Sequence, residues 1–182
     1  MSMHAQKPTL EDYLAWDNDQ LEKHEFYRGE IFAMVGARRV HGEVSLNIAT
    51  ALKTHLRGGP CRVFVESMKV KVADDAIFYP DVFVTCNAQD LTTDLIFHHP
   101  LLVVEVLSES TQAFDRGLKF AAYRQLVSMQ EYALVDPATR RVEIFRRNER
   151  ELFELHDQTG QAELHLASVD IRLPMSDVFD GV

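Results

Sequence analysis

Two acidic residues lie in segments of this sequence that are otherwise apolar. Glu105 interrupts the run Leu101–Leu107. Asp81 follows Pro80 and precedes the apolar run Val82–Val84. A carboxylate inside a buried strand is costly unless a cation pairs with it or it binds a metal. If the two strands pair, both carboxylates converge on one point, and clustered oxygen ligands suit a hard cation such as Mg²⁺ or Mn²⁺. The alternative is structural, with Glu105 buried against an arginine or a helix N-terminus and Asp81 shaping a turn.

A second pair of charged residues follows the Glu105 segment. Asp115 and Lys119 are four residues apart in a predicted helix, so they lie on one face of it. That face can fold back over the strand end, where an ammonium beside metal-bound carboxylates would orient a water and stabilise charge on a phosphate. Such a group belongs to a hydrolytic metal site. Taken as an isolated pair, however, the spacing favours a solvated surface ion pair of small energy.

Hydrophobic periodicity and turn residues predict the elements that carry these side chains. The capping-box spacing of Thr9 and Asp12 predicts a first helix, and Arg28-Gly29 predicts the turn of a hairpin over residues 24–34. Further helices are predicted for residues 41–56 and 114–126, and strands for residues 63–72, 77–85, 101–107, 132–135, 142–145, 152–155 and 164–173. The nearly all-apolar segment 101–107 is typical of a central strand buried on both faces. This order predicts an α/β or α+β fold around one mixed sheet, with antiparallel strands at the C-terminal end, and residues 1–182 suit one domain.

The composition is that of a globular protein and limits its partners. The chain has 182 residues and a net charge of −9, which argues against a surface that coats nucleic acid. Residues 36–72 depart from this balance, because seven Lys and Arg stand against two acids there, and this basic stretch could face a polyanion.

No apolar run is long enough to span a membrane and Met1–Leu10 lacks the apolar core of a secretion signal, so we expect a cytoplasmic protein. Cys61 and Cys86 have no CxxC partner, and we expect two free thiols.

An ordered set of motifs resembles a known family. The set comprises Glu25-Phe-Tyr-Arg-Gly29-Glu30-Ile, His41, Tyr79-Pro-Asp81, Val104-Glu105-Val-Leu-Ser108, Ser110-Thr111, Asp115, Lys119 and Tyr123. In this order, from about Thr9 to Pro137, the motifs resemble the Uma-two family of restriction-endonuclease-like proteins, which belongs to the PD-(D/E)xK nuclease superfamily. The resemblance implies a mixed central sheet flanked by helices. It also implies that Asp81 and Glu105 are the metal-binding pair, with Glu25 or Glu30 as a further acid nearby.

Two positions depart from the family pattern. The superfamily lysine should stand two residues after the acid, where this chain has Leu107, so the resemblance implies that Lys119 on the following helix carries that role. Glu109 replaces the proline of the family's Ser-Pro-Ser-Thr turn and adds negative charge near the site, which bears on the affinity for a phosphodiester rather than on the fold. His41 stands at a family-like position at a helix start, where it could carry a proton, contact a phosphate, or cap and pack the helix.

The residues and the resemblance together favour a Mg²⁺- or Mn²⁺-dependent endonuclease that hydrolyses DNA. Asp81, Glu105 and the carbonyl of Val106 would hold the cation, Lys119 would position the attacking water, and the basic stretch 36–72 would face the phosphates. The alternatives are a catalytically inactive nuclease-fold module that binds DNA or joins an assembly, and a metal-dependent hydrolase of a small phosphorylated molecule. If the protein binds DNA but releases no cleavage product with any metal, the inactive module is favoured. If nucleotides compete for the site but duplex DNA does not, the small-molecule hydrolase is favoured. Restriction-type nucleases are commonly dimers, so we expect a homodimer.

Overall fold

The computed structural model describes residues 7–34, 36 and 38–182, and it places the strands in three sheets. The strands are β1 His24–Tyr27, β2 Glu30–Ala33, β3 Arg62–Val65, β4 Lys69–Ala73, β5 Ala76–Phe78, β6 Val82–Thr85, β7 Ile96–Phe97, β8 Pro100–Val106, β9 Glu131–Asp136, β10 Arg141–Arg147, β11 Phe153–Asp157, β12 Glu163–Leu166 and β13 Ile171–Pro174. The helices are α1 Leu10–Asp17, α2 Arg39–His55, α3 Gln112–Phe114, α4 Phe120–Tyr123 and α5 Met175–Val178. A π-helical turn, Asp115–Lys119, joins α3 to α4, so residues 112–123 form one composite helix. Most of the stretch considered above for a secretion signal lies outside the described residues.

A six-stranded mixed sheet forms the centre of the fold, in the order β11-β10-β9-β8-β6-β3. β8 and β9 run parallel, whereas the other neighbours are antiparallel. Residues Leu102–Val106 of β8 are all buried, which explains why this segment lacks the alternation of a half-exposed strand. The predicted central strand and the mixed central sheet are confirmed. The antiparallel pairs β10–β11 and β12–β13 supply the predicted C-terminal strands.

Tyr79 and Pro80 divide the predicted strand 77–85 between two sheets. β5 ends at Phe78 and belongs to a five-stranded sheet in the order β2-β1-β5-β4-β7, whereas β6 begins at Val82 in the central sheet. Proline has no N–H to donate to a strand ladder, so a continuous central strand through Pro80 is disfavoured. Asp81 therefore lies at the junction between the two sheets, directly before β6.

Each face of the central sheet is covered by a different layer. On one face, α2 and the β12–β13 hairpin contribute buried side chains such as Ile48, Leu52 and Leu164. On the other face, the five-stranded sheet and the composite helix contribute Phe78 and Tyr123 to a second cluster. Fully burying one such side chain contributes roughly 1.5–3 kcal/mol, so the two layers are held firmly. Helices therefore approach the junction at Asp81 from both faces of the sheet.

The expectation of two free thiols is wrong, because Cys61 and Cys86 form a disulfide. The antiparallel register pairs Arg62 with Thr85, so the residues just beyond this pair stand opposite each other. The sequence separation of 25 residues conceals this proximity. Among the described residues, no helix combines the length and the hydrophobicity that crossing a membrane requires.

Candidate active site

Asp81 and Glu105 are brought together by the pairing of β6 with β8. Val82 stands opposite Val104, and continuing this antiparallel register by one residue places Asp81 opposite Glu105. The backbone N–H of Asp81 donates to Glu105 Oε2 at 3.4 Å, and the backbone N–H of Val106 donates to Asp81 Oδ2 at 2.7 Å. The strand pairing on which the sequence-based hypothesis depends is thus present. The two acids and the last residue of β8 lie side by side.

His41 reaches Asp81 from the first turn of α2. Its Nε2 lies 3.1 Å from Asp81 Oδ2, and both side chains are largely shielded from solvent. Burial lowers the pKa of His41, but the hydrogen bond and the charge of Asp81, with smaller contributions from Glu66 and Asp115, outweigh it and raise the pKa above its usual value. Asp81 therefore stabilises the protonated form of His41.

Lys119 lies among three carboxylates. Its Nζ is 2.8 Å from Glu25 Oε1, 3.3 Å from Asp115 Oδ1 and 3.4 Å from Glu105 Oε1. The lysine side chain is only 7% exposed, so water screens these contacts weakly. Glu25 Oε1 also accepts a hydrogen bond from the backbone N–H of Tyr79 at 3.0 Å, which ties β1 to the junction between the sheets. All three carboxylates are in ion-pair contact with the ammonium, and the contact with Glu105 also has the geometry of a hydrogen bond.

A π-helical turn places Asp115 and Lys119 on the same inward face. The turn spans these two residues, and both are buried. A π-helical turn is one residue wider than an α-helical turn, and such turns occur frequently at functional sites. The Tyr132 hydroxyl on β9 donates to the Asp115 backbone carbonyl at 2.9 Å and holds the turn against the central sheet. The interpretation of this pair as a solvated surface ion pair is therefore wrong.

Buried negative charge exceeds buried positive charge in this site. Burial raises the pKa of Glu105 well above its usual value, and although Lys119 lowers it, the neighbouring acids raise it further. Burial likewise raises the pKa values of Glu25 and Asp115, again against the lowering effect of Lys119. Burial lowers the pKa of Lys119, but the surrounding carboxylates outweigh it and raise the pKa well above its usual value. Four carboxylates, including Asp81, thus share one lysine and one histidine.

This charge imbalance should make the metal-free protein more stable in mildly acidic solution. A group whose pKa is higher in the folded chain binds more protons when folded, so the free energy of unfolding falls as the pH rises through the window between its two pKa values. For Glu25 and Glu105 that window opens at their usual pKa of 4.5, and for His41 at 6.5. We expect urea denaturation in EDTA to show lower stability at pH 8 than at pH 5.5.

Replacing Glu105 with Gln should flatten this pH dependence, since one of the raised carboxyl groups is then gone. Glu30→Gln is the matched control, because the Glu30 side chain is 61% exposed and lies outside the site. A free energy of unfolding that rose between pH 5.5 and pH 8 would contradict the assigned charge imbalance.

Of the two acids considered in the N-terminal hairpin, the structure brings Glu25 to the site and not Glu30. Glu30 lies on the edge strand β2 and pairs with Lys7 at 3.0 Å.

Tyr123 is fully buried, and its ring packs 5.5 Å from those of Phe78 and Tyr132. Its hydroxyl has no hydrogen-bond partner in the part of the chain that the structure describes.

Sequence reasoning misses the contributions of Tyr132 and of the Tyr79 backbone. The sequence pattern assigns Tyr132 only to a strand, whereas its hydroxyl holds the π-helical turn that presents Lys119. The Tyr79 N–H holds Glu25. The sequence feature that could have pointed to Tyr132 is a tyrosine in an otherwise apolar strand. A buried tyrosine hydroxyl usually has a hydrogen-bond partner.

A mixed central sheet flanked by helices, with two acids on neighbouring strands, is the arrangement of a restriction-endonuclease-like fold. The family model for Uma2, described as "Putative restriction endonuclease", matches residues 10–176 of this chain. The chain therefore belongs to the Uma2 family, as the motifs predicted.

Relatives and a solved structure agree with this assignment. "Uncharacterized protein slr1290" from Synechocystis is 32% identical over 177 residues, covering 97% of this chain and 93% of the relative. "Uncharacterized protein sll1609" from the same organism is 33% identical over 142 residues, covering 76% of this chain and 80% of the relative. The crystal structure of "a putative nuclease belonging to DUF820" from Anabaena variabilis superposes with a TM-score of 0.78 over 94% of this chain and 97% of that one. Its sequence identity of 18% makes this a likeness of fold.

Proposed function

We propose that this protein is a metal-dependent endonuclease that hydrolyses phosphodiester bonds in DNA. The observation that carries the proposal is the register of β6 and β8, which places Asp81 beside Glu105 at the junction between the two sheets. Lys119 contacts Glu105 at the same place. Family membership supports a nuclease, and the family model is described as a restriction endonuclease. The metal, the DNA substrate and the residue roles are the steps that this proposal adds.

The donor set fits Mg²⁺ or Mn²⁺. In the described residues, no group of three or more His, Cys, Asp or Glu side chains is arranged to hold a metal ion. Mg²⁺ does not require such a group, because it is usually bound through one or two carboxylates together with waters and substrate phosphates. Asp81 and Glu105, with the backbone carbonyl of Val106, would hold it, and its charge would offset the excess of buried carboxylates. A bound metal would lower the pKa of the water that attacks the phosphate. It would also stabilise the negative charge on the phosphate oxygens.

The chain's own residues orient the site. Val106 N–H and His41 both bind Asp81 Oδ2, so this oxygen is held in place and the carboxylate cannot rotate freely. Lys119 holds three carboxylates, and its contact with Glu105 at 3.4 Å is the longest of the three. It is also a hydrogen bond to the proposed metal-binding pair, so Lys119 would position the attacking water beside Glu105. The imidazolium of His41 can give a proton to a leaving oxygen.

Two features favour the inactive nuclease-fold module as a second candidate. Three carboxylates lie in ion-pair contact with Lys119, and exposed Glu109 adds negative charge in the loop after β8. Both features would weaken the attraction of a phosphodiester to this site. The module and the enzyme differ in one readout, because the module retains DNA without releasing product under any metal.

Calorimetric titration of Mn²⁺ into the metal-free protein tests the proposal without a choice of substrate. The wild type should show saturable binding that Asp81→Ala and Glu105→Ala both lose. Glu30→Ala is the matched control, since it removes an acid of the same hairpin that lies outside the site. The same four proteins are then incubated with supercoiled and linear DNA in Mn²⁺, and only the wild type and the control should release product.

Two outcomes would overturn the proposal. Cleavage that persists in both alanine variants would mean that Asp81 and Glu105 are not the metal-binding pair. Retention of DNA without product in Mg²⁺ and in Mn²⁺ would instead select the inactive module. A homodimer and a cytoplasmic location stay predictions of the same proposal, and sedimentation at two protein concentrations tests the first.

A further inference from the structure

A basic cavity lies at the end of α2 that is remote from the candidate active site. It has a volume of about 290 Å³ and is lined by Lys53, Leu56, Arg57, Cys61, Arg62 and neighbouring backbone. Three of these side chains are cationic and none is acidic, although the whole chain carries a net charge of −9. A concentration of positive charge in such a chain is the electrostatic footprint expected of an anion-binding surface.

The three cations of this cavity are not neutralised by the protein. Within residues 7–34, 36 and 38–182, no carboxylate lies in ion-pair contact with Lys53, Arg57 or Arg62. By contrast, Lys119, Arg116 and several other cations of the chain are paired with acids. All three cavity cations are solvent-exposed, so their charges can attract an anion from solution.

The walls of the cavity are held in place before any ligand arrives. The Arg62 guanidinium donates to the backbone carbonyls of Gly59 at 2.7 Å and Cys61 at 2.8 Å, which restricts its side chain. The disulfide between Cys61 and Cys86 fastens the same wall to the end of β6. Such pre-organisation lowers the entropic cost of binding.

The helix α2 connects this cavity to the candidate active site. His41, near the start of the helix, contacts Asp81, while Lys53 lies twelve residues further along, or about 18 Å at 1.5 Å per residue. Glu43 is the one acid in the sequence between Arg38 and Arg62, and Arg39 pairs with it at 2.7 Å. Phosphates of one DNA strand are spaced about 3.4 Å along the duplex axis, so a duplex lying along α2 would have about five phosphates between the two ends of the helix.

We propose that this cavity binds a backbone phosphate of duplex DNA about five nucleotides from the phosphate in the active site. The proposal rests on the proposed function for the choice of DNA as the polyanion. Its own support is the unpaired charge of Lys53, Arg57 and Arg62, the restrained wall at Arg62 and Cys61, and the scarcity of acids in the sequence of the intervening helix. The cavity contacts phosphate and sugar only, so it contributes affinity and register without sequence preference.

The test measures duplex binding in EDTA, where no metal-dependent cleavage takes place. The triple variant Lys53→Ala, Arg57→Ala, Arg62→Ala should bind a fluorescent 20-base-pair duplex at least about tenfold more weakly than the wild type at low salt. The slope of log Kd against log salt should become shallower by about 1 for each phosphate that the variant no longer neutralises. The matched control is Lys7→Ala, Arg150→Ala, Arg172→Ala, which removes three exposed cations elsewhere and changes the net charge equally. The control should bind the duplex nearly as well as the wild type.

The outcomes separate this proposal from the proposed function. If the cavity variant binds the duplex as the wild type does, or no more weakly than the control, the proposal is overturned. That result does not change the interpretation of the Mn²⁺ titration, which tests Asp81 and Glu105 independently of the cavity. Conversely, selective loss of binding in the cavity variant supports the cavity even if the Mn²⁺ titration fails, since the assay contains no free metal.

Discussion

Replacing Asp81 with Asn, or Glu105 with Gln, should abolish Mn²⁺-dependent cleavage of DNA without unfolding the protein. Each exchange keeps the shape of the side chain and removes the charge that would hold the proposed cation. A bound divalent cation stabilises the charge of the transition state by several kcal/mol, so cleavage should slow by at least about a thousandfold, which corresponds to about 4 kcal/mol. The measurement is the initial rate of duplex cleavage in Mn²⁺ at equal protein concentration.

The stability of the Glu105 variant should rise or stay constant. Burial raises the pKa of Glu105 well above its usual value, so at neutral pH its ionised form is costly in the folded protein. Removing this charge leaves Lys119 with Glu25 and Asp115 as partners. Urea denaturation should therefore show that Glu105→Gln is at least as stable as the wild type. A variant that lost cleavage only because it unfolded would contradict the assigned role.

Replacing Lys119 with Met should have the largest effect on stability. Its removal leaves three buried carboxylates without their shared cation, and breaking a buried ion pair in this way typically costs about 3–5 kcal/mol. Methionine fills a similar volume, so the loss is chiefly electrostatic. The free energy of unfolding at neutral pH, measured by urea denaturation in EDTA, checks this expectation.

Two further variants show whether the loss comes from the carboxylates. Lys53→Met is the matched control, because this exposed lysine on α2 has no carboxylate partner among the described residues, and its change should stay within about 0.5 kcal/mol. The double variant Lys119→Met, Glu25→Gln should recover part of the lost stability, since one unpaired carboxylate is gone. If the double variant were less stable than Lys119→Met by the full cost of a second lesion, the two groups would not be coupled.

Local patterns in the sequence determined much of this protein. The apolar run around Glu105 identified both the central strand and its unusual acid, because a strand buried on both faces shows no alternation. The hairpin turn was also predictable from the sequence. Arg28 and Gly29 adopt the positive φ values of 50° and 79° that such a turn requires. The ordered motifs from Glu25 to Tyr123 were sufficient for the family. Each of these signals depends on neighbouring residues or on their order.

Only the tertiary structure decided which charges meet. Asp115 and Lys119 have the spacing of an ordinary surface pair, and they are buried because Glu25, far away in the sequence, and the hydroxyl of Tyr132 close over them. The choice of Glu25 over Glu30 follows from the strand order, which puts β1 inside its sheet and β2 at the edge, and the bond between Cys61 and Cys86 follows from strand register. The physical reason is common to these cases. The energy of a buried charge depends on how much water distant segments exclude and on which partner they bring, and neither quantity is encoded in local spacing.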